Sequence, residues 1–240
     1  MTDLAASSHP EPATLRRTVE HTERGPLDRQ ELAALVARDI PSGSYVNLGI
    51  GQPTTVADFL DPAAGVILHT ENGMLGMGPA AVGDQVDTDL TNAGKIPVTE
   101  LPGASYFHHA DSFAMMRGGH LDVCVLGAFQ VSATGDLANW HTGAPDAIPA
   151  VGGAMDLAIG ARQVCVMMEH TTKTGESKIV ERCTYPLTGV GCVTRIYTDL
   201  AVIDVTPHGL TVVEMVDGLT FEELARLTAA PLRLAAGLGP

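Results

Sequence analysis

The chain has 240 residues, enough for one large domain or two small ones at roughly 150 residues per domain. Hydrophobic residues make up 45% and charged ones 18%, which argues against a disordered chain, and the 4% of aromatics argues against an RNA-stacking platform. Fourteen basic against 28 acidic side chains leave a net charge of −14, a poor match for nucleic acid or an anionic membrane, although local cations and backbone N–H groups can still hold a small anion.

Residues 1–25 are rich in Pro, Ser, Thr, Glu and Arg without an apolar period, and read as a flexible extension before one domain over 26–240. The first helix starts at Asp28, an N-cap with Glu31 three residues on, and places Leu32, Leu35, Val36 and Ile40 on one face. Pro41 and Gly43 end it. A strand over 44–48 runs into Gly49-Ile50-Gly51-Gln52-Pro53, after which Thr54 is expected to cap a short helix to Leu60. A second strand covers 65–69 and leads into Thr70-Glu71-Asn72-Gly73 and a glycine-punctuated stretch ending at Pro79.

Continuous apolar runs at 121–126, 164–168 and 200–205 suit strands buried on both faces, separated by helical or turn-rich segments near 112–117 and 153–161. Residues 209–215 form a hairpin with 200–205 across Thr206-Pro207-His208-Gly209. Thr220 with Glu223 caps the last helix, 221–228, and Pro231 follows it. The order predicts an α/β fold: a single open, mostly parallel sheet flanked by helices. No segment has 18 continuous apolar residues, the N-terminus lacks a signal-peptide core, and Cys124, Cys165, Cys183 and Cys192 form no C-x-x-C pair. A reduced, cytoplasmic protein is expected.

Several motifs carry candidate chemistry. The glycine loop at 49–53 stands where α/β folds bind phosphorylated ligands, yet Thr54 breaks the dinucleotide fingerprint, and on spacing alone a tight strand-to-helix turn is the better reading. Thr172-Lys173-Thr174-Gly175 lacks the Walker order. His108, His109, Asp111 and His120 have no metal-ligand spacing, so no metal is expected. Glu71 follows an apolar strand at its carboxyl end, where α/β active sites sit. It reads either as a nucleophile beside a glycine-rich backbone or as part of an ordinary Asn72-Gly73 hairpin turn, for which 73–79 makes a poor second strand. Gly152-Gly153 offers backbone N–H groups to an oxyanion, or is a plain helix-start turn.

Together these segments resemble a known family. V-N-L-G-I-G-Q-P (46–53), H-T-E-N-G-M-L-G-M-G-P (69–79), N-A-G-K (92–95), M-R-G-G-H-L-D-V (116–123), G-D-L-A-N-W (135–140), V-G-G-A-M-D-L (151–157), P-L-T-G (186–189) and T-D-L-A-V (198–202) are similar to the B subunit of family I CoA-transferases, over roughly 27–232. F-H-H-A-D-S-F (107–113), N-W-H-T-G-A (139–144), I-P-A-V-G-G-A-M-D (148–156) and M-M-E-H-T-T-K-T-G-E-S-K (167–178) resemble the subgroup acting on 3-oxoadipate rather than acetoacetate. Thr70 stands where the motif usually has Ser, and keeps the hydroxyl.

The resemblance implies a ping-pong transfer of CoA from succinyl-CoA to 3-oxoadipate in aromatic-compound catabolism, through an anhydride and a glutamyl-CoA thioester on Glu71. It implies Gly152 as an oxyanion donor and Asn47 as a side-chain donor near the thioester. Gly49, Gly51 and Gly153 let substrate approach the backbone, and Lys95 contacts CoA. His108, His109 and His141 are candidates for the distal carboxylate of the acid, or pack a loop. Coenzyme A enters as substrate, with no other cofactor, and the partner is an A subunit. The alternatives are an acetoacetate transferase, a CoA-ester hydrolase and a non-catalytic ligand sensor.

Overall fold

The computed structural model describes residues 25–144, 149 and 151–238. The expected N-terminal extension over 1–25 lies almost wholly outside the described residues, as do Ile148 and Ala150 of the 148–156 motif. In chain order the elements are α1 (Arg29–Asp39), β1 (Tyr45–Leu48), a 3₁₀ helix (Gln52–Phe59), β2 (Ile67–Thr70), β3 (Met74–Ala80), β4 (Val98–Tyr106), α2 (His109–Arg117), β5 (Val123–Leu126), β6 (Gln130–Ser132), β7 (Leu137–Ala138), α3 (Ala154–Gly160), β8 (Gln163–Met168), β9 (Ile179–Val180), β10 (Arg195–Thr198), β11 (Ala201–Thr206), β12 (Gly209–Met215), α4 (Phe221–Leu227) and β13 (Leu232–Leu234).

Ten strands form one open sheet in the order β13-β12-β11-β10-β8-β5-β1-β2-β3-β4. Its centre, β10-β8-β5-β1-β2, is parallel throughout. Antiparallel pairs extend it on both sides, β2-β3-β4 and β10-β11-β12. A separate three-stranded sheet, β7-β6-β9, was not expected. Its strands are two or three residues long: β6 and β7 form a short hairpin across residues 133–136, and β9 joins from a distant segment, so no apolar run announces them.

The central strands are buried on both faces, which explains their unbroken apolar runs. Val123, Val125, Cys165 and Met167 pack with Leu32, Leu35 and Val36 of α1 and Val56 of the 3₁₀ helix. Cys124, Leu126, Val164 and Val166, alternating with them, pack with Met116, Leu157 and Leu224 of α2, α3 and α4. Both capping boxes form: Asp28 accepts from the Glu31 N–H while Glu31 accepts from the Asp28 N–H, and Thr220 and Glu223 do the same.

Two expectations are corrected. Thr54 does not cap the helix after the glycine loop. The helix begins at Gln52 with Pro53 in its first turn, and Thr54 Oγ1 donates to the Gly51 carbonyl at 2.7 Å from inside it. The stretch after Glu71 is a true strand, since β3 pairs with both β2 and β4. Its register against β4 shifts between Leu75 and Met77 and again between Met77 and Ala80, so glycines that look like strand breakers sit at bulges.

Candidate active site

Glu71 begins the turn that leaves the carboxyl end of β2 and leads into β3. The hairpin reading of Asn72-Gly73 is therefore right for the backbone, and it coexists with a catalytic reading of the side chain. Four hydrogen bonds fasten this turn. The Gly73 N–H donates to the Thr70 carbonyl at 3.1 Å, and the Met74 N–H donates to Thr70 Oγ1 at 3.1 Å. Asn72 Nδ2 donates to the Thr91 carbonyl at 2.8 Å. The Phe107 N–H donates to the Gly73 carbonyl at 3.0 Å. Gly73 has φ +111°, and a Cβ there would run into the Phe107 carbonyl oxygen, so only glycine closes the turn. Thr70, in place of the usual Ser, uses its hydroxyl to accept the Met74 N–H.

The Glu71 carboxylate lies against Gly153, just ahead of α3. An ideal Cβ on Gly153 would stand 2.6 Å from Glu71 Oε2 and 2.8 Å from Cδ. Partial burial raises the Glu71 pKa above its ordinary 4.5. A hydrogen bond from the Gly153 N–H and the charge of His109 pull it back, while Asp156 pushes it further up. Gly152, with φ +49°, makes the turn just before.

Beneath the turn runs a buried polar chain whose hydrogens can be assigned. Ser112 Oγ donates to the Thr70 carbonyl at 3.0 Å, so toward His69 Nε2, also at 3.0 Å, it accepts. His69 is then the Nε2–H tautomer, and its Nδ1 accepts from Asn47 Nδ2 at 3.0 Å. Asn47 Nδ2 donates as well to the His69 carbonyl at 3.2 Å, which fixes the orientation of the amide. Burial pushes the His69 pKa down to about 4, so the chain is neutral. Both Asn47 N–H groups are thereby used within the protein. The atom left without a partner is its buried acceptor Oδ1, the opposite of the donor role expected for Asn47.

A cavity of about 450 Å³, within the usual range for small-molecule sites, opens beside this turn. Gly49, Glu71, Asn139, Gly152, Gly153 and Lys178 are among its walls. Gly51 is not on its wall; it precedes the 3₁₀ helix at φ +95°. Lys95 is exposed on the loop whose Thr91 carbonyl holds Asn72, and at φ +63° it is the single non-glycine residue with positive φ among the described residues. His108 caps α2, its Nδ1 accepting from the Ala110 N–H at 3.1 Å. His141 accepts from the Gly143 N–H at 2.9 Å and tilts against Trp140. None of His108, His109 and His141 lines the cavity, and only His109 acts on Glu71. In His108 and His141 it is Nδ1 that is engaged locally, and neither ring reaches the cavity wall within this chain.

The coenzyme A transferase family pattern matches residues 29–226. The chain belongs to the coenzyme A transferase family. It is 66% identical over 206 residues to the 3-oxoadipate CoA-transferase B subunit of Pseudomonas putida KT2440, covering 86% of this chain and 96% of that protein. It is 47% identical over 202 residues to the B subunit of a probable succinyl-CoA:3-ketoacid coenzyme A transferase of Bacillus subtilis, covering 84% and 93%. The crystal structure of an acyl-CoA transferase from Escherichia coli O157:H7 superposes with TM-score 0.68 at 18% identity, over 92% of this chain but 44% of that one. This transferase chain therefore spans less than half of that structural relative. Its parallel-centred sheet with helices on both faces is the fold expected.

Three residues of the transferase site were not singled out from sequence. His69 and Ser112 look like an ordinary strand residue and an ordinary helix residue, and only the pairing of β2 with α2 joins them. Lys178 ends a motif that carried the resemblance, but nothing local says that its side chain reaches the cavity. Among the described residues no group of three His, Cys, Asp or Glu side chains could hold a metal ion, and no helix is long and apolar enough to cross a membrane.

Proposed function

We propose that this chain is the glutamate-bearing B subunit of a CoA-transferase that moves CoA from succinyl-CoA to 3-oxoadipate. It would work with an A subunit in the cytoplasm, with coenzyme A as substrate and no other cofactor. The observation that carries the reading is the Glu71 carboxylate itself. It is half-buried, raised in pKa, set at the carboxyl end of a parallel sheet, and held by one backbone N–H at the wall of a substrate-sized cavity. The greater identity to the oxoadipate enzyme, 66% against 47%, favours the six-carbon acid over acetoacetate.

In this mechanism Glu71 attacks the thioester carbonyl. The C–O bond forms, the C–S bond breaks, and CoA leaves as thiolate from a succinyl–glutamyl anhydride. The thiolate then attacks the glutamyl carbonyl, and succinate departs with the electron pair of the broken C–O bond. The second acid reverses the two steps and leaves as its CoA ester, with Glu71 restored. Each addition creates an oxyanion beside the Gly152-Gly153 backbone. The family resemblance assigns the Gly152 N–H to that new charge, and Gly152 lies on the cavity wall beside Glu71. The four free cysteines fit a reduced compartment.

The test is to purify the complex with its A subunit and incubate it with succinyl-CoA alone. CoA should become bound through a thioester to the peptide containing Glu71. In Glu71→Gln both the adduct and transfer to 3-oxoadipate should vanish in a folded complex. Sustained transfer by that variant would overturn the assignment.

A further inference from the structure

The cavity beside Glu71 contains a cation that the transfer chemistry just described leaves without a task. The Lys178 side chain is only 13% exposed, yet its Nζ donates no hydrogen bond among the described residues. Its nearest counter-ion, Glu169 Oε2, stands 3.8 Å away, beyond hydrogen-bonding distance, and Glu169 is itself 51% exposed and shared with Arg29 at 3.9 Å. Asp199 is the other carboxylate acting on Lys178, and its own oxygen already accepts the His170 N–H at 2.6 Å. Burial lowers the lysine's pKa, and these two carboxylates push it back up. An ammonium at the wall of an open cavity, its donors not taken by a hydrogen bond among the described residues, is placed to donate to an anion that enters.

We propose that Lys178 forms a carboxylate subsite, holding the free carboxylate of a dicarboxylic acyl group while its other end reacts at Glu71. The geometry suits such a ligand. Glu169, the residue after β8, marks where the ammonium lies, and Glu71 follows β2. Those strand ends are three strand spacings apart, roughly 14 Å. Two side chains reaching into one cavity from opposite sides of that gap leave a span suited to a short diacid. The same cation serves the four-carbon donor and the six-carbon acceptor, because in a ping-pong cycle they occupy the cavity in turn. Glu169, half-exposed and within reach of Arg29, can give way when the ligand carboxylate enters.

The inference rests on the dicarboxylate reading above, and the experiment separates the two. The A–B complex is assayed with 3-oxoadipate and with 3-oxohexanoate, which has the same chain without the second carboxylate. In Lys178→Met the kcat/KM for 3-oxoadipate should fall roughly 10- to 100-fold, the loss expected for one charge-assisted hydrogen bond. The kcat/KM for 3-oxohexanoate should change less than threefold, and Lys178→Arg should recover most of the 3-oxoadipate affinity. An equal loss on both acids, or no loss, overturns the subsite while leaving the transferase reading intact. A wild-type complex that transfers CoA to no dicarboxylate overturns both. Should Lys178→Met fail to assemble, product inhibition of the wild type decides: succinate must inhibit at least tenfold more tightly than butyrate, and equal inhibition refutes the subsite.

Discussion

Gly153→Ala is a single-methyl test of the site. At φ −85°, ψ 3° the backbone accepts alanine without strain, so the change acts through what the methyl meets. It meets the proposed nucleophile: its Cβ would stand 2.6 Å from Glu71 Oε2, 2.8 Å from Cδ and 3.2 Å from Oε1, where ordinary contact begins at about 3.4 Å. The carboxylate is the movable end of a flexible side chain, whereas the backbone on both sides is tied down, so Glu71 must withdraw by ~0.8 Å. A displacement on the order of 1 Å at the reacting centre lowers turnover about 100-fold. Withdrawal also stretches the hydrogen bond from the Gly153 N–H, the main influence holding the Glu71 pKa down, so the acid limb of the rate profile should move to higher pH. As the N-cap of α3, alanine costs the fold only a few tenths of a kcal/mol to about 1 kcal/mol relative to glycine. The assay is kcat for CoA transfer by the A–B complex between pH 5 and 9, with a thermal melt of each variant. A folded Gly153→Ala complex within threefold of wild type, with an unmoved acid limb, would refute the contact between Gly153 and the nucleophile.

Two further outcomes follow from the same site. Burial raises the Glu71 pKa, so the folded chain holds that proton more tightly than the unfolded one, and ionised Glu71 subtracts stability above its raised pKa. Glu71→Gln should therefore be more resistant to denaturant than wild type at pH 8. The advantage should shrink as pH falls through the raised value and disappear below the ordinary 4.5; a less stable variant at pH 8 would contradict the assignment. Lys95 sits at φ +63°, a conformation glycine adopts freely, so Lys95→Gly should keep or raise stability by up to about 1 kcal/mol while KM for the acyl-CoA rises several-fold. A lower melting temperature with an unchanged KM would show that the lysine serves the fold and not CoA.

What could be read in the sequence divides by the range of the interaction responsible. α1 and α4 were legible because Asp28 with Glu31 and Thr220 with Glu223 carry their caps within four residues. β5 and β8 were legible because burial on both faces leaves an unbroken apolar run. β3 was hidden, since bulges against β4 let Gly76, Gly78 and Pro79 stand in a strand that pairs on both edges. Glu71 could be found by its place after an apolar strand, whereas Asn47, inside β1, came from the family resemblance. The role of Asn47 could not be found, because its donors are taken up by a histidine on the neighbouring strand. Lys178 was illegible for the same reason: only the packed sheet brings its side chain to the cavity that holds Glu71.

The polar chain under the turn explains how a carboxylate can be held rigidly and yet remain reactive. Every extra donor aimed at Glu71 would lower its pKa and occupy a lone pair needed for attack. The structure instead applies its hydrogen bonds to the backbone around it. Ser112 holds the Thr70 carbonyl, Thr70 Oγ1 receives the Met74 N–H, Asn72 reaches Thr91, and Phe107 holds the Gly73 carbonyl. Behind Ser112, His69 is kept neutral by burial, so it adds no positive charge to that of His109, which already favours the Glu71 anion. The side chain itself receives a backbone hydrogen bond from Gly153. Orientation is thus supplied through neighbours in sequence, and the carboxylate is left lightly bound, as the proposed role of Glu71 as nucleophile requires. This division also accounts for the glycine at 153, where a single N–H can approach the carboxylate closely only because no side chain stands in the way.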